Sequence, residues 1–499
     1  MLKPLPLWGA LLVAVASGLC LTLSFPALGW WPLAFASVFL LGWSLLGRSW
    51  LTSLVVGIVA GASFWLTLIR WLTLYLGPVP WLALGILETL ICALGASLIG
   101  LILNRGSRKW SSPWGYYVLI PLVSAALWTL REMVSSNAPY GGFSWGLLAQ
   151  SQSQSPYTPI VAWLGTFGLS FTVAVLPLAA LQVMRKKLLW KPAVMVIGLF
   201  VLLPLVPLPQ ATSVGTMSVL AVQGNSQAGL FDDRSSGDIL ADHIAGSLPY
   251  LGRHIDAIVW PENAADLNPL DVAYSAAALN KVSADFAAPI VTGTITHDTQ
   301  GTYFNSSLVW EAGKGATAQF DKIHPVPFAE YMPDRPFWRA LAPDLVDLVG
   351  YDYGLGTRPN VVKVNNVPVG LSICFDISYE QQARAFIAGG AQVVFAQTNN
   401  ADFGRTDENL QQLAIARLRA VETGRAVVNI STVGTSAIID SSGSALAQIP
   451  AYEPGAMLEN VPLYKNVTPA MFFSEFYEVL LTVIALVGLL MLITWRRKP

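Results

Sequence analysis

Three residues of this chain are of the types that covalent acyl chemistry needs, and each follows directly on an apolar run. Ala257-Ile258-Val259-Trp260 leads into Pro261-Glu262-Asn263, Ala318-Gln319-Phe320 into Asp321-Lys322, and Gly370-Leu371-Ser372-Ile373 into Cys374-Phe375-Asp376. A thiol is a weak nucleophile until a base or a nearby positive charge raises its thiolate character. Glu262 could accept that proton, and Lys322 could stabilise the thiolate and a developing oxyanion. Residue types alone leave another reading open, in which the three are unrelated and Lys322 is solvated. Cys20 and Cys92 lie in long apolar runs, where a cysteine commonly acts as a small buried hydrophobe, whereas Cys374 stands alone in the polar part of the chain. It is either a reactive thiol or a buried core residue. His243, His254, His297 and His324 show no metal-ligand spacing, and His324 is near Lys322 only along the chain. No metal and no cofactor is expected.

The elements around these residues read as short β-rich runs alternating with helical segments. Strands are predicted over 218–222, 257–260, 289–292, 307–310, 369–373, 393–397, 426–430 and 436–439, and helices over 237–251, 272–286, 378–388 and 407–423. The last helix has clear end signals, with Thr406 as N-cap, two acids in its first turn and Gly424 just beyond it. Such alternation predicts a layered α/β domain.

The rest of the chain is unlike a soluble enzyme. Of its 499 residues 54% are hydrophobic and only 12% charged, against about 25% charged in ordinary soluble domains. Residues 207–478 carry 15 basic and 28 acidic side chains, and the remainder carries 14 basic ones and two acids, Glu88 and Glu132. This excludes a disordered chain and a nucleic-acid binder of the basic type. Apolar runs near the length of about 20 residues that crosses a bilayer occur at 8–25, 28–46, 51–68, 78–103, 114–130, 158–183, 190–206 and 478–495. The expected organisation is a polytopic α-helical membrane domain of about eight spans, seven over 1–206 and one over 478–495, around an α/β domain over 212–470. Ala14-Val15-Ala16 and Ser17-Gly18-Leu19-Cys20 faintly suggest processing sites, but the apolar run continues past both, and an uncleaved first span is expected.

Orientation follows from the short loops. With the N-terminus in the cytoplasm, Lys3, Arg48, Arg105, Arg108, Lys109, Arg185, Lys186, Lys187, Lys191, Arg496, Arg497 and Lys498 fall inside, and only Arg70 and Arg131 fall in outer loops. Positive-inside asymmetry then puts the α/β domain on the extracytoplasmic face. Glu88, within a predicted span, is left out of the site.

Longer segments carry a resemblance. Trp260-Pro261-Glu262-Asn263, Phe320-Asp321-Lys322-Ile323-His324-Pro325-Val326-Pro327-Phe328-Ala329-Glu330-Tyr331-Met332-Pro333 and Ser372-Ile373-Cys374-Phe375-Asp376 resemble the three active-site blocks of the nitrilase superfamily. More narrowly, the whole chain is similar to the apolipoprotein N-acyltransferase family, membrane enzymes that add the third acyl chain to bacterial lipoproteins. Val222-Gln223-Gly224-Asn225, Asn399-Asn400-Ala401-Asp402-Phe403-Gly404, Ala416-Arg417-Leu418-Arg419-Ala420-Val421-Glu422-Thr423-Gly424-Arg425 and Gly142-Phe143-Ser144-Trp145-Gly146 add to the likeness. It implies a nitrilase-like αββα sandwich with Glu262 as general base, Lys322 as oxyanion stabiliser, Cys374 as nucleophile and Glu330 as a second glutamate orienting the lysine. Asp376 stands where that family usually has glutamate and Phe375 where a tyrosine is common; Phe231 replaces a tryptophan that follows the Gln-Gly-Asn block. Phe375 and Asp376 are expected to support the site, and Phe231, Phe337, Trp338 and Phe403 to contact substrate.

The implied reaction has two halves. Cys374 attacks an acyl ester of a phospholipid, phosphatidylethanolamine at its sn-1 position, and the thioester then acylates the α-amino group of an N-terminal S-diacylglyceryl-cysteine. The implied enzyme is a monomer of the bacterial cytoplasmic membrane, whose partners are the phospholipid donor, the diacylglyceryl lipoprotein acceptor and the bilayer, with no nucleic acid. A membrane-tethered amidase acting on a small substrate is the alternative. A transporter or lipid-binding scaffold with a degenerate enzyme domain fits less well, because all three candidate catalytic residues are present and the spans hold little polar lining. Residues 331–353, with Met332, Phe337, Trp338, Leu341, Leu345 and Leu348 among acids and prolines, read either as an amphipathic arm that touches the bilayer and gates the acyl pocket or as a domain-packing loop. Replacing Phe337 and Trp338 by Ser is expected to impair turnover of vesicle lipid while sparing a short water-soluble thioester. Equal loss on both substrates would leave the arm without a membrane role.

Overall fold

The structure, a computed structural model, describes residues 2–186, 190–226, 228–229 and 236–494. One compact unit comprises the chain up to Thr73, Gly77–Pro209 and the chain from Phe472. Among the described residues, six helices are long and apolar enough to cross a membrane: Leu7–Ser24, Trp50–Leu68, Pro78–Lys109, Gly115–Ser135, Thr158–Arg185 and Pro469–Leu492. The runs expected at 28–46 and 190–206 also fold as apolar helices, but shorter ones, Pro32–Ser44 and Trp190–Leu205. Pro32 opens the first, and Val206, extended ahead of Pro207, ends the second. The closing helix begins at Pro469, ahead of the expected 478, because Glu475 and Glu478 interrupt the apolar run without interrupting the helix.

Two polar residues of this unit differ from expectation in an instructive way. Arg131, expected in an outer loop, lies inside helix Ile120–Ser135 and is buried, 3.4 Å from Glu132 and over the Trp128 ring. The helix continues past the apolar run because Glu132 supplies the countercharge that a buried guanidinium requires. Glu88 is buried as well, and the Ser135 hydroxyl donates to its two oxygens at 2.9 and 2.7 Å.

The second unit, Leu74–Leu76 with Gln210–Met471, is the α/β domain. Its strands are β1 (Ser213–Gln223), β2 (Ala257–Val259), β3 (Ile290–His297), β4 (Tyr303–Glu311), β5 (Gly315–Asp321), β6 (Val361–Val364), β7 (Val367–Ile373), β8 (Val393–Thr398), β9 (Ala426–Ser431), β10 (Ser436–Ile439), β11 (Ala445–Ile449) and β12 (Gly455–Tyr464). They form two six-stranded sheets, ordered β12-β1-β2-β3-β4-β5 and β11-β10-β9-β8-β7-β6. Each has a parallel centre, β1-β2-β3 or β7-β8-β9, with antiparallel flanks.

Alternation along the strands builds the layers, since successive side chains point to opposite faces. Val219, Ala221, Val259 and Phe320 meet Val369, Leu371, Phe395 and Val428 between the sheets. The intervening Leu220, Val222, Ile258 and Ile290 pack instead with Leu240, Leu279 and Phe286 of helices Asp238–Ser247 and Ala273–Phe286. On the other sheet, Gly370 lies directly against Phe386 of helix Glu380–Ala388. The result is the αββα sandwich. Helix Glu408–Thr423 starts after Asp407 and not Thr406, whose hydroxyl donates to the Phe403 carbonyl at 2.8 Å; Gly424 closes it at φ +63°.

Gly293 of β3 is the close approach on which the candidate site rests. A Cβ there would sit 2.5 Å from Asn263 N and 2.6 Å from Glu262 Cα. Gly293→Ala is expected to destabilise the domain by about 1–3 kcal/mol through overpacking, read as a lower thermal midpoint. Gly350→Ala, where a methyl meets nothing within 4 Å, should leave the midpoint unchanged or slightly raised.

Candidate active site

Three chain turns bring the expected residues together. Glu262 follows β2 after Trp260-Pro261, Lys322 is the first residue beyond β5, and Cys374 is the first beyond β7. Cys374 takes φ +51° and Asn263 φ +56°, left-handed conformations that non-glycine residues rarely adopt. In Cys374 the strain falls on the candidate nucleophile's own residue, a placement common at functional sites.

Lys322 is 2% exposed. Its Nζ lies 3.3 Å from Glu262 Oε1 and 2.8 Å from Glu330 Oε2, and it donates to Glu330 Oε1 at 2.9 Å. Asn305 of β4 ties the two carboxylates together, its Nδ2 donating to Glu262 Oε1 at 2.7 Å and to Glu330 Oε1 at 3.0 Å. The register of β4 and β5 places it there, since Lys322 N donates to Asn305 O at 2.8 Å. Burial works against the ammonium, but Glu262, Glu330 and Cys374 outweigh it and hold Lys322 well above the usual lysine value. Burial pushes the Glu262 carboxyl up, partly opposed by Lys322. It pushes the half-buried Cys374 thiol up too, with Glu262 adding to the rise and Lys322 opposing it. The thiol therefore rests protonated beside a carboxylate whose own proton affinity is enhanced.

Asp376 and Phe375 support this geometry in different ways. Asp376 is fully buried and accepts from Ile323 N at 3.3 Å, His324 N at 2.8 Å and His324 Nδ1 at 3.0 Å. It thereby joins the lysine segment to the cysteine turn. His324 is thus part of the site and not merely a neighbour of Lys322 along the chain; its ring stacks on Tyr379 at 3.8 Å. Phe375 is buried with its edge toward Tyr379 at 5.1 Å.

The expected substrate contacts divide. Phe337 is 58% exposed, whereas Trp338 packs against Phe328 at 5.2 Å beside a small core of Met332, Val346 and Val349. Phe403 ends the short turn Ala401–Phe403 after β8. Phe231 lies outside the described residues. The arm that bears Phe337 is closed on itself: Arg335 donates to both oxygens of Asp352, at 2.9 and 2.7 Å, and Tyr353 N returns to Glu330 O at 2.9 Å.

Four residues of the site escape the sequence reading. Besides His324 and Asn305, Gln412 Nε2 lies 3.5 Å from Cys374 Sγ, and Glu408 sits one helical turn before it. A signal existed for the last two: an acid and a glutamine four apart on the helix that follows the Asn399-Asn400 block.

Residues 17–179 match the family model described as apolipoprotein N-acyltransferase N-terminal domain, and residues 240–464 match carbon-nitrogen hydrolase. The apolipoprotein N-acyltransferase of Mycolicibacterium smegmatis is 31% identical over 96% of this chain and 84% of its own length. That of Geobacter metallireducens is 27% identical over 91% and 89%. Among solved structures, an amidase from Nesterenkonia sp. is similar at a TM-score of 0.39 and 16% identity, covering 51% of this chain and 93% of that one. With a relative above 30% identity along nearly its whole length, and both family models in this order, the chain is a membrane protein of the apolipoprotein N-acyltransferase family.

Proposed function

We propose that this protein takes an acyl group from a membrane phospholipid onto Cys374 and passes it to the α-amino group of a diacylglyceryl-cysteine at the N-terminus of a lipoprotein. The observation that carries this reading is the cluster of buried Glu262 and Lys322 with the partly buried Glu330, beside a thiol on a left-handed turn. Because burial raises both Glu262 and Cys374, attack and proton transfer to Glu262 occur together, as general-base catalysis requires. Lys322, kept charged by its two carboxylates, stabilises the tetrahedral oxyanion. The departing lysophospholipid oxygen recovers the proton from Glu262, and the thioester remains on Sγ.

Phosphatidylethanolamine is the donor in this reading, and the enzyme acts as a monomer in the bacterial cytoplasmic membrane. An extracytoplasmic catalytic unit is supported by the loop charges: with Arg131 inside a helix, Arg70 is the one basic residue left in the outer short loops. A thioester is lost to water unless the pocket favours lipid. Phe337, Leu341, Leu348, Tyr351 and Leu355, all exposed on and beside the arm, support a lipid-facing role. The amidase alternative gains no support, since the relatives named above are N-acyltransferases over nearly the whole chain.

Intact mass of the purified protein with phosphatidylethanolamine is expected to show one added acyl group, removable by hydroxylamine and absent from Cys374→Ala. A diacylglyceryl-cysteine peptide should discharge it. No adduct with any phospholipid would end the lipid-donor reading. The rate of thioester formation should also carry an acidic limb. Glu262 must be deprotonated to act, so activity falls as pH drops through its pKa, and burial places that fall above the ordinary glutamate value of about 4.3. A rate that holds down to pH about 4 would remove Glu262 from the role of base.

A further inference from the structure

The thiol has a second buried carboxyl close by, which the mechanism above leaves idle. Helix Glu408–Thr423 places Glu408 and Gln412 one turn apart on the same face. Asn400 links them: its Nδ2 donates to Glu408 Oε2 and to Gln412 Oε1, both at 2.8 Å, and so turns Gln412 Nε2 toward Cys374 Sγ at 3.5 Å. Asn400 is itself fixed, with its Oδ1 accepting from the Ser431 and Thr398 hydroxyls at 2.6 and 3.2 Å. Glu408 is 3% exposed. Among the described residues, Asn400 is its hydrogen-bond partner through Oε2, while Oε1 has none and no cation pairs with the carboxyl.

The two halves of the reaction ask for different proton transfers. In the first, Glu262 carries the thiol proton to the leaving alcohol and ends as a carboxylate held by Asn305 and Lys322. In the second, the incoming amine brings a proton that must leave its nitrogen as the amide forms. Glu408 feels Cys374 and Glu262 across the site and Tyr452 from the segment before β12, with Arg405 resting on the Tyr452 ring at 4.3 Å. Burial, opposed in part by Asn400, holds Glu408 up to about 8. A carboxyl held that high is a stronger base than an ordinary carboxylate, as accepting a proton from nitrogen requires.

We propose that Glu408 takes the proton of the acceptor amine as it attacks the thioester, while Gln412 holds the sulfur as it leaves. This rests on the acyl-transfer reading above. The amine nitrogen forms a C–N bond to the thioester carbon, and Glu408 removes one N–H proton from the adduct. The C–S bond then breaks with its electron pair going to Sγ. The resulting thiolate, hydrogen-bonded by Gln412 and close to Lys322, recovers the proton from Glu408, leaving the amide and the free enzyme.

The test uses the full-length protein and follows both halves by intact mass. In Glu408→Gln, discharge by a diacylglyceryl-cysteine peptide is expected to slow about 100-fold, a typical general-base effect, and thioester formation from phosphatidylethanolamine to slow far less. Discharge by hydroxylamine, a stronger nucleophile whose attack depends less on a base, should slow far less. Glu408→Asp, which keeps the carboxyl, should recover part of the peptide rate. Equal slowing of both halves, or unchanged discharge by the peptide, overturns the assignment. Failure of the wild-type protein to form a thioester is a distinct result, which removes the acyl-transfer reading and this one with it.

Discussion

The candidate site of the α/β domain depends on keeping one lysine charged where little water reaches it. A buried ammonium is costly unless it is paired and hydrogen-bonded, and Lys322 has carboxylates on two sides, both within 3.3 Å. Two carboxylates so close repel each other, and the single Nδ2 of Asn305, donating to both, is what lets them share the space. The cluster is an all-or-none object. Removing one member leaves an uncompensated buried charge, a loss of about 3–5 kcal/mol in comparable buried pairs.

Placing that cluster takes both sheets. β2 and β5 belong to one and β7 to the other, so the thiol reaches the charges only because the two are packed face to face through Val259, Phe320, Leu371 and Phe395. Gly293 lets the Glu262 segment lie on β3, and Asp376 draws the lysine segment toward the cysteine turn. The chemistry is thus fixed by backbone geometry at strand ends, with few side-chain degrees of freedom left to order.

How much of this the sequence discloses depends on the kind of signal. Residues of chemically capable types immediately after apolar runs stand out, as Glu262, Lys322 and Cys374 do, and so do long apolar segments. The strands that escaped outright, β6, β11 and β12, and β5, of which only the last residues showed, are the four edges of the two sheets. There one side is exposed and polar residues dilute the pattern, as at Lys363 in β6 and Glu459 in β12. Asn305, Gln412 and Glu408 escaped for a related reason: a neutral amide or a lone acid within an element reads as surface until the fold buries it. Arg131 shows the opposite error, a charge read as a loop residue that the helix takes inside with Glu132 as its partner.

Glu330 belongs to two structures at once. Its carboxylate neutralises Lys322, and its backbone carbonyl anchors Tyr353, the far end of the arm that Arg335 and Asp352 clasp shut. Shifting that anchorage therefore also shifts a countercharge. If the loop swings away with Glu330, Lys322 keeps Glu262 alone, and the electric field at the sulfur changes in the same movement. The fold of the arm and the charge balance around Lys322 thus share one residue, so neither can change without the other.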